Sequence, residues 1–371
     1  MTVRELMRIR LYRQHLTNKS DRHTVLHDLN GLQAQFMSNA EHSLRIRCSE
    51  PLSHEDFGDG LVKNWTVRGT VHIFNRDDLP VFKYGRDIHR SEDFKGYGIF
   101  RKDTYNWYAD NESYKSVLEK YRKDGYAWTL SSDEQREWSR FIVQKVSEGV
   151  YGREELKAEC RSAGMTVPQL ESMFNSWGGG MRELCERGFL NYRVKEKKEF
   201  EICPDFEPME KDEAEREILR RYFLHYAPAT IRDAAYYMGC TQARVKELTQ
   251  DMDLKKIDCE GREMFYLSEI EKEYPEIPAV LFLGGFDQLM LGYKKEESIF
   301  LPQEHLRKIF NLAGIVMPPI LVDGRVAGRW RRKNRNVNLE MFADITDSQK
   351  KVLLHEAEIV FGNANILISE I

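Results

Sequence analysis

The sequence predicts an α+β protein made of tandem winged helix-turn-helix domains and a C-terminal β-rich domain. Two observations support this prediction. Helical periodicity followed by a short hairpin pattern occurs at about 131–206 and again at 207–275, and strand patterns dominate residues 276–371. The chain has 371 residues, of which 41% are hydrophobic and 31% charged, which is enough for two to four globular domains.

The N-terminal part, residues 1–130, is predicted to be a third, degenerate copy of the winged-helix unit. Apolar residues at helical spacing predict two helices before residue 30, and alternation over Trp65–Phe74 predicts one strand. Residues 84–130 are polar and rich in aromatic residues, and we interpret them as an insert. These patterns place a helical segment, a strand and an insert in the first predicted domain.

The second predicted domain, residues 131–206, begins with a helix from Ser132 to Glu148. A second helix is predicted to start near Gly152, and a third ends where the strand Leu190–Val194 begins. The strand Phe200–Ile202 completes the predicted wing. The order of helices and strands is that of a winged helix.

The third predicted domain, residues 207–275, has the clearest pattern. Acidic residues from Asp212 open its first helix, Gly239 ends the second, and Thr241 caps the third. Two strand patterns around Glu260-Gly261 predict a β-hairpin. The last domain, residues 276–371, is predicted from further strands and a hairpin turn at Asp323-Gly324.

Composition excludes several classes of protein. No apolar run approaches the roughly 20 residues of a membrane helix, and the N-terminus lacks a signal-peptide core. The six cysteines are dispersed without a Cys-x-x-Cys motif, the histidines lack metal-ligand spacing, and no phosphate-binding glycine loop occurs. We therefore predict a cytoplasmic, monomeric protein without membrane association, metal or organic cofactor.

Two carboxamides in the segment Leu29–Phe36 form the candidate catalytic pair. Gln33 and Gln35 lie one residue apart in an otherwise apolar run that follows Gly31. On a helix they would face nearly opposite sides, whereas in extended backbone they project the same way. Carboxamides donate and accept hydrogen bonds but transfer no proton, so the pair could hold a water. The alternative is a regular helix with one exposed and one capped glutamine.

A basic segment near the C-terminus is the candidate phosphate-binding edge. Residues 325–335 hold six basic residues around Trp330, although the whole chain has a net charge of −4. The alternative is a solvated strand whose arginines pair with local acids. Arg244 on the third helix of the third domain could enter the major groove, but neighbouring Glu247 equally supports a packing role. His72 lies alone in a strand, where a satisfied polar residue is common.

Four segments spread over nearly the whole chain resemble the AlkZ/YcaQ family of winged-helix DNA glycosylases. They are residues 31–35, 68–72, 283–289 and 322–330. The resemblance implies three tandem winged helices and a β-rich domain around a DNA channel, and excision of alkylated purines including the unhooking of interstrand crosslinks. Gln33 and Gln35 match the catalytic Gln-x-Gln branch of the family. We expect the DNA contacts to come from Arg68, His72, Arg244, Arg325, Arg329, Arg331, Arg332 and Lys333.

The expected partner is therefore duplex DNA that carries alkylated purines or crosslinks. A non-enzymatic winged-helix transcription regulator is the competing hypothesis, because a fold does not determine a function. Such a regulator would use a basic recognition helix, and it would leave the glutamine pair unexplained. A protein-interaction scaffold fits the net negative charge but leaves the basic edge without a role.

Overall fold

The computed structural model describes residues 1–53, 55–58, 60–66, 68–83, 132–175 and 179–370. The predicted insert at 84–130 lies outside them. The chain divides into two compact units, one formed by Met1–Asp56 with Ile218–Ile371 and the other by Phe57–Glu217. The protein contains both helices and sheets, as the α+β prediction requires. The finer four-domain division remains a prediction, and its first boundary falls outside the described residues.

The first unit begins with three short helices around an extended segment. They are α1 (Val3–Arg13), α2 (Arg22–Asp28), the two-residue strand β1 (Leu32–Gln33) and α3 (Met37–Arg45). Thr2 and Glu5 form a capping box on α1, and Asp21 caps α2 through the backbone N–H of Thr24. The two helices predicted before residue 30 are confirmed.

The second unit opens with a hairpin that corrects one prediction. Strands β2 (Leu61–Trp65) and β3 (Val71–Asn75) are antiparallel, whereas we predicted one strand over Trp65–Phe74. The chain reverses between them, with Thr66 N donating to Thr70 O at 3.2 Å and Gly69 at φ 68°. Glycine adopts this left-handed conformation without steric cost. The short helix α4 (Leu79–Phe82) follows.

Four helices and two strands complete most of the second unit. They are α5 (Ser132–Ser147), α6 (Arg153–Ser162), α7 (Val167–Met173), α8 (Gly180–Glu186), β4 (Leu190–Tyr192) and β5 (Phe200–Ile202). The separate helix α7 was not predicted. Within this unit the strand order is β3-β2-β4-β5, and Ile142, Leu156, Leu184 and Phe200 are fully or almost fully buried in one apolar core.

Three helices and a hairpin follow in the order predicted for residues 207–275. The helices are α9 (Lys211–His225), α10 (Ile231–Met238) and α11 (Gln242–Leu248), and the hairpin strands are β6 (Lys255–Cys259) and β7 (Arg262–Tyr266). Gly239 ends α10 in the left-handed conformation, and the Thr241 hydroxyl accepts from Arg244 N to cap α11. Both predicted capping roles are confirmed.

The C-terminal residues form a five-stranded sheet covered by a helix that sequence analysis missed. The strands, with order β12-β11-β10-β9-β8, are β8 (Val280–Phe282), β9 (Pro319–Val322), β10 (Arg325–Lys333), β11 (Asn336–Met341) and β12 (Asn365–Glu370). The helices are α12 (Gln288–Leu291), α13 (Leu306–Ile309) and α14 (Asp347–Phe361). Leu353 and Ala357 of α14 are buried against the sheet. Among the described residues, no helix is long and apolar enough to cross a membrane.

Candidate active-site loop

The Gln33–Gln35 segment lies in a break between two helices of the first unit. Helix α2 ends at Asp28, and after Leu29 the residues Asn30 and Gly31 have φ angles of 53° and 77°. The chain is then extended through β1 before α3 begins. A left-handed Gly31 after a left-handed asparagine ends the helix and turns the chain. The predicted extended backbone is confirmed for Gln33, which lies in β1, whereas Gln35 lies in the bend that follows. Neither glutamine is in a helix, so the helical alternative is wrong.

The two carboxamides differ in their exposure to solvent. Gln33 is buried with 6% of its surface exposed, Ala34 is fully buried, and Gln35 is exposed. A buried carboxamide is held in place by its surroundings, while an exposed one is free to meet a macromolecular ligand. The loop therefore presents one fixed and one accessible amide. Their convergence on one water remains a prediction.

The entry to the loop is fixed by three hydrogen bonds from distant parts of the first unit. The Tyr226 hydroxyl lies 2.8 Å from the Leu29 carbonyl oxygen, and Asn30 Nδ2 donates to Ile218 O at 3.1 Å. Gln288 Nε2 donates to the Gly31 carbonyl oxygen at 3.2 Å. All these groups are buried, and satisfied buried polar groups hold a backbone in one conformation. The loop is therefore supported from both α9 and α12.

The exit from the loop is fixed by a close approach between two backbones. A Cβ at Gly284 would lie 2.6 Å from Ser43 Oγ and 2.7 Å from the carbonyl oxygen of Asn39 on α3. At Gly285 it would lie 2.7 Å from Asn39 Nδ2. Only glycine permits the 283–289 segment to lie this near α3. Because α3 begins two residues after Gln35, this contact sets where the loop ends.

A buried ion pair also joins the 283–289 segment to the residues that follow α3. Arg47 and Asp287 have no exposed side-chain surface, and two N–H groups of Arg47 meet the two carboxylate oxygens at 2.9 and 2.7 Å. The Ser43 hydroxyl and Leu289 N also donate to this carboxylate, each at 2.9 Å. Burial alone would raise the pKa of Asp287, but the charge and hydrogen bonds of Arg47 lower it below its ordinary value. The pair is therefore ionised at neutral pH.

Most of the residues that support the loop carry no signal in the sequence. Gln288 and Asp287 lay in a segment that carried the family resemblance, but nothing pointed to their partners Tyr226 and Arg47. Gln288 lies 257 residues from Gly31, and Asp287 lies 240 residues from Arg47. Contacts over such separations leave no periodic pattern in one sequence.

The two candidates in the β2–β3 hairpin of the second unit differ from expectation. The His72 ring is fully buried, and its Nδ1 lies 3.0 Å from both Thr66 Oγ1 and Thr70 O. Burial, followed by the nearby charge of Arg68, lowers the pKa of His72 to about 3, so the ring is neutral. Among the described residues, its buried Nε2 has no hydrogen-bond partner. The ring is therefore buried and neutral, and the expected contact of His72 with DNA remains a prediction. Arg68 is half-buried in the turn.

The remaining basic candidates differ in whether they form an ion pair with another described residue. Arg244 forms an ion pair with Glu247 one helical turn away, at 3.2 Å. On β10, Arg329 and Arg331 both contact Glu340 of the neighbouring strand, at 2.5 and 3.4 Å. These three arginines therefore have local acidic partners, and their contacts with DNA remain predictions. Arg329 also donates to Lys308 O at 3.0 Å, which gives it a structural role.

The exposed basic residues cluster at the end of the β10–β11 hairpin. Arg332, Lys333 and Arg335 flank Asn334, whose φ of 56° makes the turn, and all are exposed. Arg325 is exposed at the opposite end of β10. Trp330 lies buried between them and donates to Leu283 O at 2.8 Å. We define Arg332, Lys333 and Arg335 as the hairpin tip.

One group of described side chains outside the loop has the composition of a metal site. His15, Asp28 and His225 bring one ligand atom each within 4.8 Å of one another. The described part of the chain contains no other such group. The sequence spacing of the histidines did not predict it.

Comparisons with known proteins agree with the resemblance seen in the sequence. Residues 26–360 match the family described as DNA glycosylase AlkZ-like. An interstrand DNA cross-link repair glycosylase of Streptomyces sahachiroi is 26% identical over 360 residues, covering 90% of this chain and 88% of that protein. The solved structure of DNA glycosylase AlkZ from the same organism superposes with a TM-score of 0.73 and 22% identity over the whole of both chains.

Proposed function

Because the chain belongs to the AlkZ-like family of DNA glycosylases, we propose that it excises N-alkylated purines from duplex DNA with a water held by Gln33 and Gln35. The observation that carries this proposal is the loop between α2 and α3, which presents one buried and one exposed carboxamide. Contacts from other segments hold this loop at its entry and at its exit. No part of the proposed step needs an acid from the protein.

The chemistry of the substrate explains why neutral side chains suffice. An N7-alkylated purine already carries a positive charge, so it leaves as a neutral base when the C1′–N9 bond breaks. Water forms the new C1′–O bond and releases one proton to solvent. The sugar passes through an oxocarbenium-like state, which carbonyl oxygens of preorganised amides stabilise. Intact purines are poor leaving groups without protonation, and such a site therefore discriminates against them.

The two glutamines have separate parts in this proposal. Gln33, which is buried, orients the water by accepting its hydrogen bond. Gln35, which is exposed, reaches the damaged nucleotide and directs its amide oxygen toward the developing charge on the sugar. The hydrogen bonds to Leu29 O and Gly31 O support this division, because they hold the loop before DNA arrives.

Duplex DNA is bound through its phosphates. The hairpin tip supplies three exposed cations, and Arg331 beside it is half-exposed despite its contact with Glu340. We further propose that α5–α8 with β4–β5 and α9–α11 with β6–β7 act as tandem winged helices along the duplex. Binding as a monomer requires no two-fold symmetric site in the DNA.

Unhooking of interstrand crosslinks belongs to the same proposal. The Streptomyces sahachiroi relative is named as an interstrand DNA cross-link repair glycosylase. A crosslinked base is tied to the opposite strand and cannot be fully flipped into a closed pocket. An exposed Gln35 suits such a substrate because the amide can approach a nucleotide that remains near the duplex.

Excision from defined duplexes tests the function directly. The protein in excess is incubated with a duplex holding one N7-methylguanine, with the unmodified duplex as the control, and abasic sites are converted to strand breaks. We expect cleavage only at the lesion. Sequence-specific binding without abasic sites would favour the transcription-regulator hypothesis. A duplex with an N7-linked interstrand crosslink then tests unhooking by the appearance of separated strands.

A further inference from the structure

Three potential metal ligands meet where three helices of the first unit end. His15 follows α1 with φ of 60°, Asp28 is the last residue of α2, and His225 is the last residue of α9. Asp28 Oδ2 lies 2.9 Å from His15 Nε2 and 3.3 Å from His225 Nδ1. All three residues are buried or half-buried. Two imidazoles therefore face one oxygen of one carboxylate.

The hydrogen bonds of His15 define what lies between it and Asp28. Its Nδ1 is 3.2 Å from the carbonyl oxygen of Asn18, which can only accept, so Nδ1 carries a hydrogen. A neutral ring in this tautomer presents a lone pair at Nε2 toward a carboxylate oxygen 2.9 Å away. Two acceptors at this distance require positive charge between them. Either a second proton or a metal cation supplies it.

The surroundings of the cluster have two features that are common around metal sites. Metal-binding histidines usually donate their second ring N–H to a carbonyl or carboxylate, as His15 does to Asn18 O. His27 Nδ1 holds the other oxygen of Asp28 at 3.0 Å, which orients the carboxylate.

We propose that His15, Asp28 and His225 bind one divalent transition-metal ion, with Zn²⁺ the best match, through Nε2, Oδ2 and Nδ1. Tetrahedral Zn²⁺ with ligand bonds of about 2.0–2.2 Å places its ligand atoms roughly 3.3–3.6 Å apart. The 3.3 Å between His225 Nδ1 and Asp28 Oδ2 matches this spacing, and the 2.9 Å between His15 Nε2 and the same oxygen would widen by about 0.4 Å when the ion enters. Two imidazoles with one carboxylate favour Zn²⁺ over the oxygen-seeking Mg²⁺ and Ca²⁺. The side chain of His225 is 22% exposed, which leaves room for water as a fourth ligand.

The role of such an ion is structural. It joins the ends of α1, α2 and α9 beside the point where the loop begins, because Asp28 precedes Leu29 and His225 precedes Tyr226, the two residues linked by the 2.8 Å hydrogen bond. The ion takes no part in the excision step, and the proposal does not depend on the proposed glycosylase function.

Metal retention by the full-length protein tests the proposal. The protein is stripped with EDTA, given two equivalents of ZnCl₂, desalted and analysed by mass spectrometry for zinc. We expect about one ion per chain for the wild type and for a control, His355→Gln, which alters an exposed histidine on α14. We expect almost none for His15→Gln and His225→Gln. At zinc concentrations near 100 times Kd, the melting temperature of the wild type should rise by about 5 °C, and that of His225→Gln should not.

Several results would overturn the proposal. These are a wild type that retains no more zinc than His225→Gln, and zinc binding that survives both histidine variants. Cobalt substitution of the wild type gives an answer that requires no variant to fold. Nitrogen and oxygen ligands predict weak visible bands, whereas an intense near-ultraviolet charge-transfer band would assign the metal to cysteines instead.

Discussion

Replacing Asp287 by asparagine should destabilise the first unit more than any change to an exposed ion pair. The carboxylate accepts two hydrogen bonds from Arg47 and one each from Ser43 and Leu289 N. Asparagine offers one oxygen, and its NH₂ group would face a guanidinium that has no exposed surface. Removing one partner of a buried ion pair leaves an uncompensated charge and costs about 3–5 kcal/mol.

Two further variants separate this cost from simple loss of contacts. Arg244→Ala removes a pair whose side chains are 23% and 62% exposed, so it should cost no more than about 1 kcal/mol. Arg47→Met combined with Asp287→Asn leaves no buried charge, so it should be less destabilised than Asp287→Asn alone. The free energies come from urea unfolding followed by circular dichroism, and hydrogen exchange of α3 peptides assigns the effect to the first unit.

The same ion pair predicts a pH dependence. The pKa of Asp287 is lower in the folded protein than in the unfolded chain, so its stabilisation is present above about pH 4 and is lost as the pH falls through the folded-state value. The difference between wild type and Asp287→Asn should be constant from pH 8 to pH 5 and should shrink below pH 4. A loss of less than about 1 kcal/mol in the free energy of unfolding of Asp287→Asn at pH 7 would contradict this prediction. A double variant that is less stable than Asp287→Asn alone would contradict it as well.

Three other outcomes follow from the loop and the hairpin tip. Gln35→Ala and Gln33→Ala should each slow single-turnover excision by about 10²-fold with little change in DNA affinity. Gln35→Asp should retain activity. Wild-type rates in both alanine variants would show that the pair is structural. Replacing Arg332, Lys333 and Arg335 together with alanine should flatten the slope of log K against log salt by about 2.7, and an unchanged slope would remove the tip from the interface. Excision at 25 °C should persist in EDTA because no step uses a metal, and loss of activity that a divalent ion restores would contradict this.

Features that depend on neighbouring residues were predictable from the sequence, and features that depend on distant ones were not. The break at Gly31, the Gly239 and Thr241 caps and the Glu260-Gly261 hairpin were predictable, since each depends on neighbouring residues. The single strand expected over Trp65–Phe74 was wrong because alternation alone does not show that the chain reverses between two strands of a hairpin.

The features that support the loop were not predictable from local patterns. The Arg47–Asp287 pair and the Gln288 hydrogen bond depend on packing between segments more than 200 residues apart. The burial of His72 could not be read from its strand pattern, because β3 is intermediate or buried at every position. Pairing of Arg329 and Arg331 with Glu340 depends on the register of β10 and β11, which could not be predicted from the sequence.

The hydrogen bond between Gly31 and Gln288 also determines when the loop is completed during synthesis. Gly31 leaves the ribosome early, but its partner is 257 residues further along the chain. At about 5–20 residues per second, roughly 13–50 seconds pass before that partner is translated. Asp287 arrives at the same time, so α3 also lacks its buried counter-ion until then. A nascent or prematurely terminated chain therefore carries both glutamines without the contacts from Gln288 and Asp287 that hold the loop.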